Sequence, residues 1–466
     1  MLRFFTLIVF LTPFVAHAGE LPNILVYLSD DHSQFDSSLY GNANISTPNF
    51  EQLAEDGMVL NHAYVASPSC APSRAAMLTG LMPARNGAED NHSYPRPGVK
   101  SLIENIKALG YETAAIGKVT HNIKRSKFVS FDYINDTKSY PQIQQSVSDF
   151  LQARKSKRPL CLFVGISNPH VPWPEKYQVD PARVAFPPHH LDTPKTRTHR
   201  AAYYQEIIDL DKLLGELRVM ADTYLGDNTI FIHTSDHGSQ WPFGKWTLYD
   251  YGTRVPFIAS WKGHIPAGKT SDAMVSWVDI LPTLIELAGG PAPKDIDGQS
   301  FAKVLMGKIR QHRDRIFTTN TGDKKMNVYP SRSVRTAEWK LIHNLHPEFA
   351  FTNHSDLLRK PFAGAYWGEW VALAKKDKRA KQIVDRYYQR PEFELYRVSE
   401  DKWEQHNLVD DPKYAKVVAT LKKELRDWMD SQNDKEPVFH SPRLIKDPES
   451  WHPRFFAERL KKRNKK

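Results

Sequence analysis

Short apolar runs alternate with stretches of helical periodicity along the first two thirds of the chain. Asn23–Leu28 is a continuous apolar run, as expected of a strand buried on both faces. Comparable runs recur at Met58–Tyr64, Thr113–Ile116, Leu160–Ile166, Thr229–Thr234 and Val255–Ser260. Between them the pattern predicts a helix from Pro48, with Thr47 as its N-cap and Gly57 as its stop, and another over Pro72–Thr79 ended by Gly80. Further helices are predicted at Val99–Leu109, Ala201–Met220 and Asp279–Ala288. Alternating strands and helices predict an α/β fold: a mostly parallel central sheet flanked by helices.

Beyond about residue 315 the pattern changes. Ser331–Arg335 and Lys340–His343 read as a hairpin, Phe393–Arg397 as a further strand and Pro412–Ser431 as an amphipathic helix. They predict a smaller C-terminal α+β subdomain with an antiparallel sheet. Asn353 to about Asp385 shows no clear period and is expected to be an irregular loop. No internal repeat is visible.

Length and composition narrow this picture. A chain of 466 residues with 41% hydrophobic and 25% charged positions has ample apolar surface for a core and excludes wholesale disorder. The net charge of +10 is concentrated at one end, because the last eight residues hold six cations and no acid. The basicity therefore belongs to a tail, which argues against a face built for nucleic acid. Residues 1–18 read as a signal peptide: Arg3, an apolar stretch from Phe4 to Val15, and a small-x-small site at Ala16-His17-Ala18. That stretch is too short for a membrane span, so the expected product is secreted or periplasmic, with no membrane segment. The organisation expected is a signal peptide at 1–18, a catalytic domain at 19–315, the subdomain at 316–458 and a basic tail at 459–466. With only Cys70 and Cys161, no disulfide framework holds the fold. Cys161 lies in an apolar strand and reads as core.

In open α/β sheets, ligands collect beyond the carboxyl ends of the strands. Two predicted strands end there in acids, Asp30-Asp31 and Asp236-His237. One such pair is most often a turn or cap feature, but two pairs together point to a hard-cation site for Ca²⁺ or Mg²⁺. Between them lies Ser69-Cys70-Ala71-Pro72-Ser73-Arg74, continuing to Thr79-Gly80. Pro72 is expected to open the helix and Cys70 to lie just ahead of it, where free N–H groups favour an anion. Cys70 is then either a small apolar cap or a nucleophile of lowered pKa.

The segment Cys-x-Pro-Ser-Arg followed by Ala-x-x-x-Thr-Gly resembles the signature of type I sulfatases, in which the cysteine is oxidised to formylglycine by a dedicated generating enzyme. The resemblance extends through Asp30-Asp31, Gly117-Lys118, Asn168-Pro169-His170, Ser235-Asp236-His237-Gly238 and Lys245. It implies an alkaline-phosphatase-like fold, and metal ligation by Asp30, Asp31, Asp236, His237 and modified Cys70. It also implies catalytic roles for Cys70, Arg74, Lys118, His121, His170, Asp236 and Lys245. The lysine and histidine of Gly-Lys-Val-Thr-His are three apart, where many sulfatases have them two apart; the wider spacing is similar to iduronate-2-sulfatase.

The resemblance further implies a reaction. A hydroxyl of the aldehyde hydrate, deprotonated by Asp236, attacks sulfur while Lys118, Lys245 and the cation stabilise the sulfate oxygens. His170 or Lys245 protonates the leaving group, and His121 takes the proton of the second hydroxyl so that sulfate is expelled.

Tyr329–Arg335, Leu341–Leu345 and Glu394 through Leu408 resemble heparan N-sulfoglucosamine sulfohydrolase. On that basis Arg332, Arg335, His343 and His346 are candidates for reading a sugar carboxylate or neighbouring sulfate. The substrate implied is a sulfated saccharide of the polysaccharide or glycosaminoglycan kind. N-sulfate and O-sulfate remain alternatives, as does a non-catalytic glycan-binding protein if Cys70 stays a thiol. A phosphatase on the same scaffold would carry Ser or Thr in place of Cys70.

Overall fold

The computed structural model describes residues 20–447, so the expected signal peptide and basic tail lie outside the described residues. The first apolar run is strand β1 (Asn23–Ser29), and its side chains feed two separate cores. Leu25 and Tyr27 enter one, while Ile24, Val26 and Leu28 enter the other. Successive side chains of a strand point to opposite faces, so a strand covered on both sides reads as an unbroken apolar run.

The same sheet holds β2 (Met58–Tyr64), β3 (Glu112–Gly117), β4 (Tyr133–Asn135), β5 (Leu160–Gly165), β6 (Thr229–Ser235), β7 (Arg254–Val255), β8 (Phe257–Ser260) and β9 (Lys269–Ser276). Their order is β4-β3-β5-β1-β6-β8-β2-β7, with β9 beside β2. Every pairing from β4 to β6 is parallel. β8 runs antiparallel to β6 and β2, and β7 antiparallel to β2. The single strand expected at Val255–Ser260 is two, because Pro256 between them has no N–H to give a ladder.

Register decides what arrives at the carboxyl edge. β1 and β6 pair to their last residues, Ser29 opposite Ser235, so Asp30 and Asp236 leave the sheet side by side. β3 and β5 also end together, Gly117 opposite Gly165. Gly117 has φ +81°, and a Cβ there would lie 1.9 Å from the Gly165 carbonyl oxygen. Only glycine permits that crossing, and it delivers Lys118 to the edge where the acids emerge.

The segment after β2 forms a helix over Cys70–Thr79, every side chain of which is buried. It begins two residues earlier than the proline suggests, so Cys70 is its first residue and lies within the helix. Pro72 is tolerated because first-turn N–H groups have no intrahelical acceptor.

A second sheet is antiparallel, in the order β10 (Ile316–Asn320), β11 (Ser331–Arg335), β12 (Trp339–Asn344) and β13 (Phe393–Arg397). The predicted hairpin is present, with Arg335 opposite Lys340. One face of this sheet packs Val334, Leu341 and Leu395 against Val418, Leu421, Leu425 and Met429 of the helix Ala415–Ser431. From its other face Ile342 and Tyr396 enter the core that lies under the large sheet.

Residues 353–385 are a correction. Instead of an irregular loop they contain helices at His354–Leu358, Trp367–Ala374 and Lys378–Tyr388. In the last of these, Ala380, Ile383, Val384 and Tyr387 are buried, an i, i+3, i+4, i+7 stripe. Tyr366, Trp367 and Trp370 are fully buried against the first domain's aromatics, and this tertiary burial offsets weak aromatic helix propensity.

A buried ion cluster joins the two sheets. Lys340 Nζ lies 2.5 Å from Asp250 Oδ1 and 2.6 Å from Glu404 Oε1, and Arg335 lies 3.2 Å from Asp250. Burial acts to raise Asp250, but Arg335, Lys340 and Arg254 hold it below the ordinary carboxylate range. Lys340→Met would strand the carboxylates of Asp250 and Glu404 without their ammonium partner. The expected loss is about 3–5 kcal/mol in urea unfolding, since breaking a buried pair leaves an uncompensated charge.

Candidate active site

Four polar groups from three distant parts of the sequence converge where β1 and β6 end. Asp30, Cys70, Asp236 and His237 each place a ligand atom within 4.8 Å of the others, and all four are buried. The Cys70 sulfur lies 3.4 Å from Asp30 Oδ1 and 3.2 Å from His237 Nε2. Asp31 reaches the same group, its Oδ1 3.5 Å from His237 Nε2, and its backbone is left-handed at φ 68°. His237 Nδ1 donates to the Gly238 carbonyl at 2.9 Å, which leaves Nε2 unprotonated toward the acids.

Cations surround this cluster. Arg74 Nε lies 2.9 Å from Asp236 Oδ2, and the same guanidinium reaches the carbonyls of Lys118 and Val119. Lys118 Nζ pairs with Asp30 Oδ2 and lies 3.7 Å from the Cys70 sulfur. Lys245 Nζ is 2.8 Å from Asp31 Oδ1 and 3.4 Å from that sulfur. Three buried carboxylates thus face three cationic side chains.

The electrostatics are uneven. Burial raises Asp30, but Lys118, His170, Arg74 and Lys245 outweigh it and leave the carboxyl well below its usual range. Asp31 is pushed up to about 8, because burial and the neighbouring Asp30 and Asp236 exceed what Lys245 offsets. Its Oδ2 is buried without a hydrogen-bond partner, and His170 Nε2 is 4.0 Å away. Oxygen donors of three carboxylates, one of them short of cationic charge, with a single imidazole Nε2, fit a hard divalent cation. Burial pushes the Cys70 thiol up, Asp30 adds to this, and Lys118 and Lys245 do not reverse it. A thiolate of lowered pKa, one of the sequence alternatives, does not suit this environment.

A cavity of about 670 Å³ opens onto the cluster. Cys70, Lys118, His121, His170 and Lys245 line it, together with His92, Gln240, Trp246, Asp323, and a wall formed by His354, Leu358, Lys360, Pro361 and Ala363. His170 Nδ1 lies 2.6 Å from the Val171 carbonyl, so Nε2 is the nitrogen free to act in the cavity. His121 Nε2 lies 2.5 Å from His92 Nδ1, and His92 Nε2 lies 3.4 Å from Asp323 Oδ1. Burial, followed by Lys118 and His92, depresses His121 to about 3, which keeps it neutral.

Four sequence candidates are not brought to the cavity, and the expectation that they read substrate is withdrawn. Arg332 is buried and chelates Asp434, with Nη1 on the Asn320 carbonyl. Arg335 is committed to Asp250 and the face of Tyr64. His343 stacks on Phe393 beside Glu392, and His346 pairs with Glu348 at 3.1 Å. The C-terminal region does wall the cavity, but through the residues around His354–Ala363 that sequence periodicity left as loop. Cys161, as expected, is buried in β5. His92 and Asp323 were missed, and no local motif marks either one.

Comparisons with known proteins agree with this geometry. A model of the sulfatase family matches residues 22–290, and one described as N-sulphoglucosamine sulphohydrolase, C-terminal, matches residues 237–361. The chain is 33% identical over 428 residues to an ulvan-active sulfatase of Formosa agariphila, covering 89% of this chain and 81% of that one. Against human N-sulphoglucosamine sulphohydrolase it is 29% identical over 471 residues, covering 88% and 90%. A solved structure of a protein in complex with its substrate D-glucosamine-2-N,6-O-disulfate has a TM-score of 0.68 at 21% identity, covering 90% of this chain and 100% of that one. With the family model spanning more than half of its length and the cysteine meeting the acids at the strand ends, this chain belongs to the sulfatase family.

Proposed function

We propose that this chain is a formylglycine-dependent sulfatase that releases inorganic sulfate from the ends of sulfated poly- or oligosaccharides. The observation that carries the reading is the meeting of the Cys70 sulfur with two acids, an imidazole and two ammonium groups at the floor of a cavity that Cys70, Lys118 and Lys245 line. A buried thiol whose ionisation is opposed is a poor nucleophile. Oxidised after synthesis to an aldehyde, which adds water, residue 70 supplies an oxygen nucleophile for sulfur. The maturation partner is a formylglycine-generating enzyme, and the leader at residues 1–18 directs export.

Asp30, Asp31, Asp236, His237 and an oxygen of modified residue 70 would hold Ca²⁺, or Mg²⁺ in its place. Such a cation draws charge from the sulfate and eases ionisation of the attacking hydroxyl. Added to Arg74, Lys118 and Lys245, it would give the three acids an excess of positive charge and leave the site complementary to an anion.

The chain's own residues divide the remaining work. Arg74 orients Asp236, which accepts the proton of the attacking hydroxyl. Lys118 and Lys245 stabilise charge on the sulfate oxygens from their positions beside residue 70. The leaving group takes its proton from the Lys245 ammonium, or from His170 Nε2 after that nitrogen has itself taken one up, because His170 Nδ1 already donates to the Val171 carbonyl. His121 serves the second hydroxyl, so sulfate departs without water attacking sulfur.

A second reading, an N-sulfoglucosamine sulfohydrolase, is favoured by the match over residues 237–361. Sulfate release from a panel of N- and O-sulfated saccharides separates the two. Turnover of O-sulfated members supports the primary reading, and turnover confined to N-sulfated glucosamine supports the second.

Mass spectrometry of the Cys70 peptide should find an aldehyde in protein produced with a formylglycine-generating enzyme. Cys70→Ala should lower turnover by about a millionfold, the scale seen when a nucleophile is deleted. A thiol persisting in such preparations, with glycan bound and no sulfate released, would establish a glycan-binding protein instead.

Exhaustive chelation should abolish sulfate release, and Ca²⁺ should restore it. At about a hundred times its Kd the cation should stabilise the fold by about 2.7 kcal/mol, read as a higher Tm. A rate and melting curve indifferent to chelator would rule out the cation.

A further inference from the structure

A line of three side chains runs from His121 through the part-exposed His92 to the buried Asp323. Asp323 is clamped as an acceptor, its Oδ2 taking hydrogen bonds from Asn91 Nδ2 at 2.8 Å and Trp246 Nε1 at 3.2 Å. Its Oδ1 faces His92 Nε2 at 3.4 Å. A carboxylate cannot donate, so the His92 proton belongs on Nε2 and its Nδ1 is the acceptor. That Nδ1 lies 2.5 Å from His121 Nε2, which must therefore carry the His121 proton. The remaining nitrogen, His121 Nδ1, is buried and has no hydrogen-bond partner.

The line is tied to the reacting residue. Asn91 Oδ1 accepts the N–H of Ala71, next to Cys70, and Trp246 follows Lys245. His92 adopts φ 71°, a conformation uncommon for a residue other than glycine and maintained only where surroundings enforce it. Its side chain is about a third exposed, at 36%, and it also lines a second pocket with Asp90, Lys324 and His440.

We propose that Asp323 and His92 are positioning residues that fix His121 as its Nε2–H tautomer, leave Nδ1 as the base, and relay the proton it takes. This rests on the sulfatase reading of the site. As His121 Nδ1 takes the proton, the hydroxyl O–H bond breaks, its electron pair forms the C=O bond of the aldehyde, and the C–O bond to sulfate breaks with its pair leaving on sulfate. The His121 Nε2 proton moves to His92 Nδ1, so the positive charge rests on His92 beside Asp323. Once sulfate has left, the proton returns to His121 Nε2 and the Nδ1 proton passes to water, restoring the starting tautomer. The arrangement answers a specific difficulty, since His121 lies beside the Lys118 ammonium in a buried setting where a lasting imidazolium is unfavourable.

Two variants suit the left-handed backbone at residue 92. His92→Gly should lower kcat by about 10- to 100-fold, the scale for losing the outer partner of a functional imidazole, with KM nearly unchanged. Imidazole added to the assay should restore much of that rate, which a purely structural role would not allow. His92→Asn keeps an acceptor near the place of Nδ1 but cannot carry a proton, so it should show the same kcat loss while melting like the parent.

Full turnover by either variant, or a loss in His92→Gly that imidazole does not relieve, would overturn the relay. Parent protein that carries the aldehyde yet releases no sulfate would overturn the sulfatase reading itself.

Discussion

Three carboxylates buried within one cluster repel one another and lose their hydration, and the fold tolerates them through the cations set against them. Lys118 pairs with Asp30, Lys245 with Asp31 and Arg74 with Asp236. Each cation comes from a different segment: the end of β3, the loop after β6, and the helix that begins at Cys70. Holding the acids thus also fixes the positions of three segments relative to one another. The Asp31 oxygen without a hydrogen-bond partner shows that the match is incomplete, and a further positive charge there would complete it.

The same parallel strands that build the core determine this convergence. Because β1 and β6 run in one direction and end in register, a pair of acids after each is enough to place Asp30 beside Asp236. The glycines at the ends of β3 and β5 allow their chains to cross at contact distance and bring Lys118 in from the other side. The C-terminal region completes the cavity with a wall at residues 354–363, followed by two helices whose Trp367, Trp370 and Tyr387 pack into the shared core. Function and packing are therefore joined in the segment where sequence periodicity was least informative.

Much of the catalytic half could be read from the chain because its signals are local. Buried parallel strands leave continuous apolar runs, and the cysteine segment is distinctive over a dozen residues. The helix at Lys378–Tyr388 carries an amphipathic stripe of its own at Ala380, Ile383, Val384 and Tyr387. The aromatic helix before it had no comparable signal, since its stability is tertiary. Arg332 and Arg335 were misjudged for a related reason: a basic residue in a strand has the same appearance in sequence whether it meets substrate or, as here, Asp434 and Asp250.

By itself the sequence determined the alternating architecture, the sulfatase signature around Cys70 and the acids that close β1 and β6, all properties carried within short stretches of chain. Only the tertiary structure decided which basic side chains serve the site and which are spent on buried ion pairs. It alone set His92 and Asp323, 231 positions apart, in line with His121. The physical reason is that a side chain's role depends on its partner across space, and strand register and packing choose that partner.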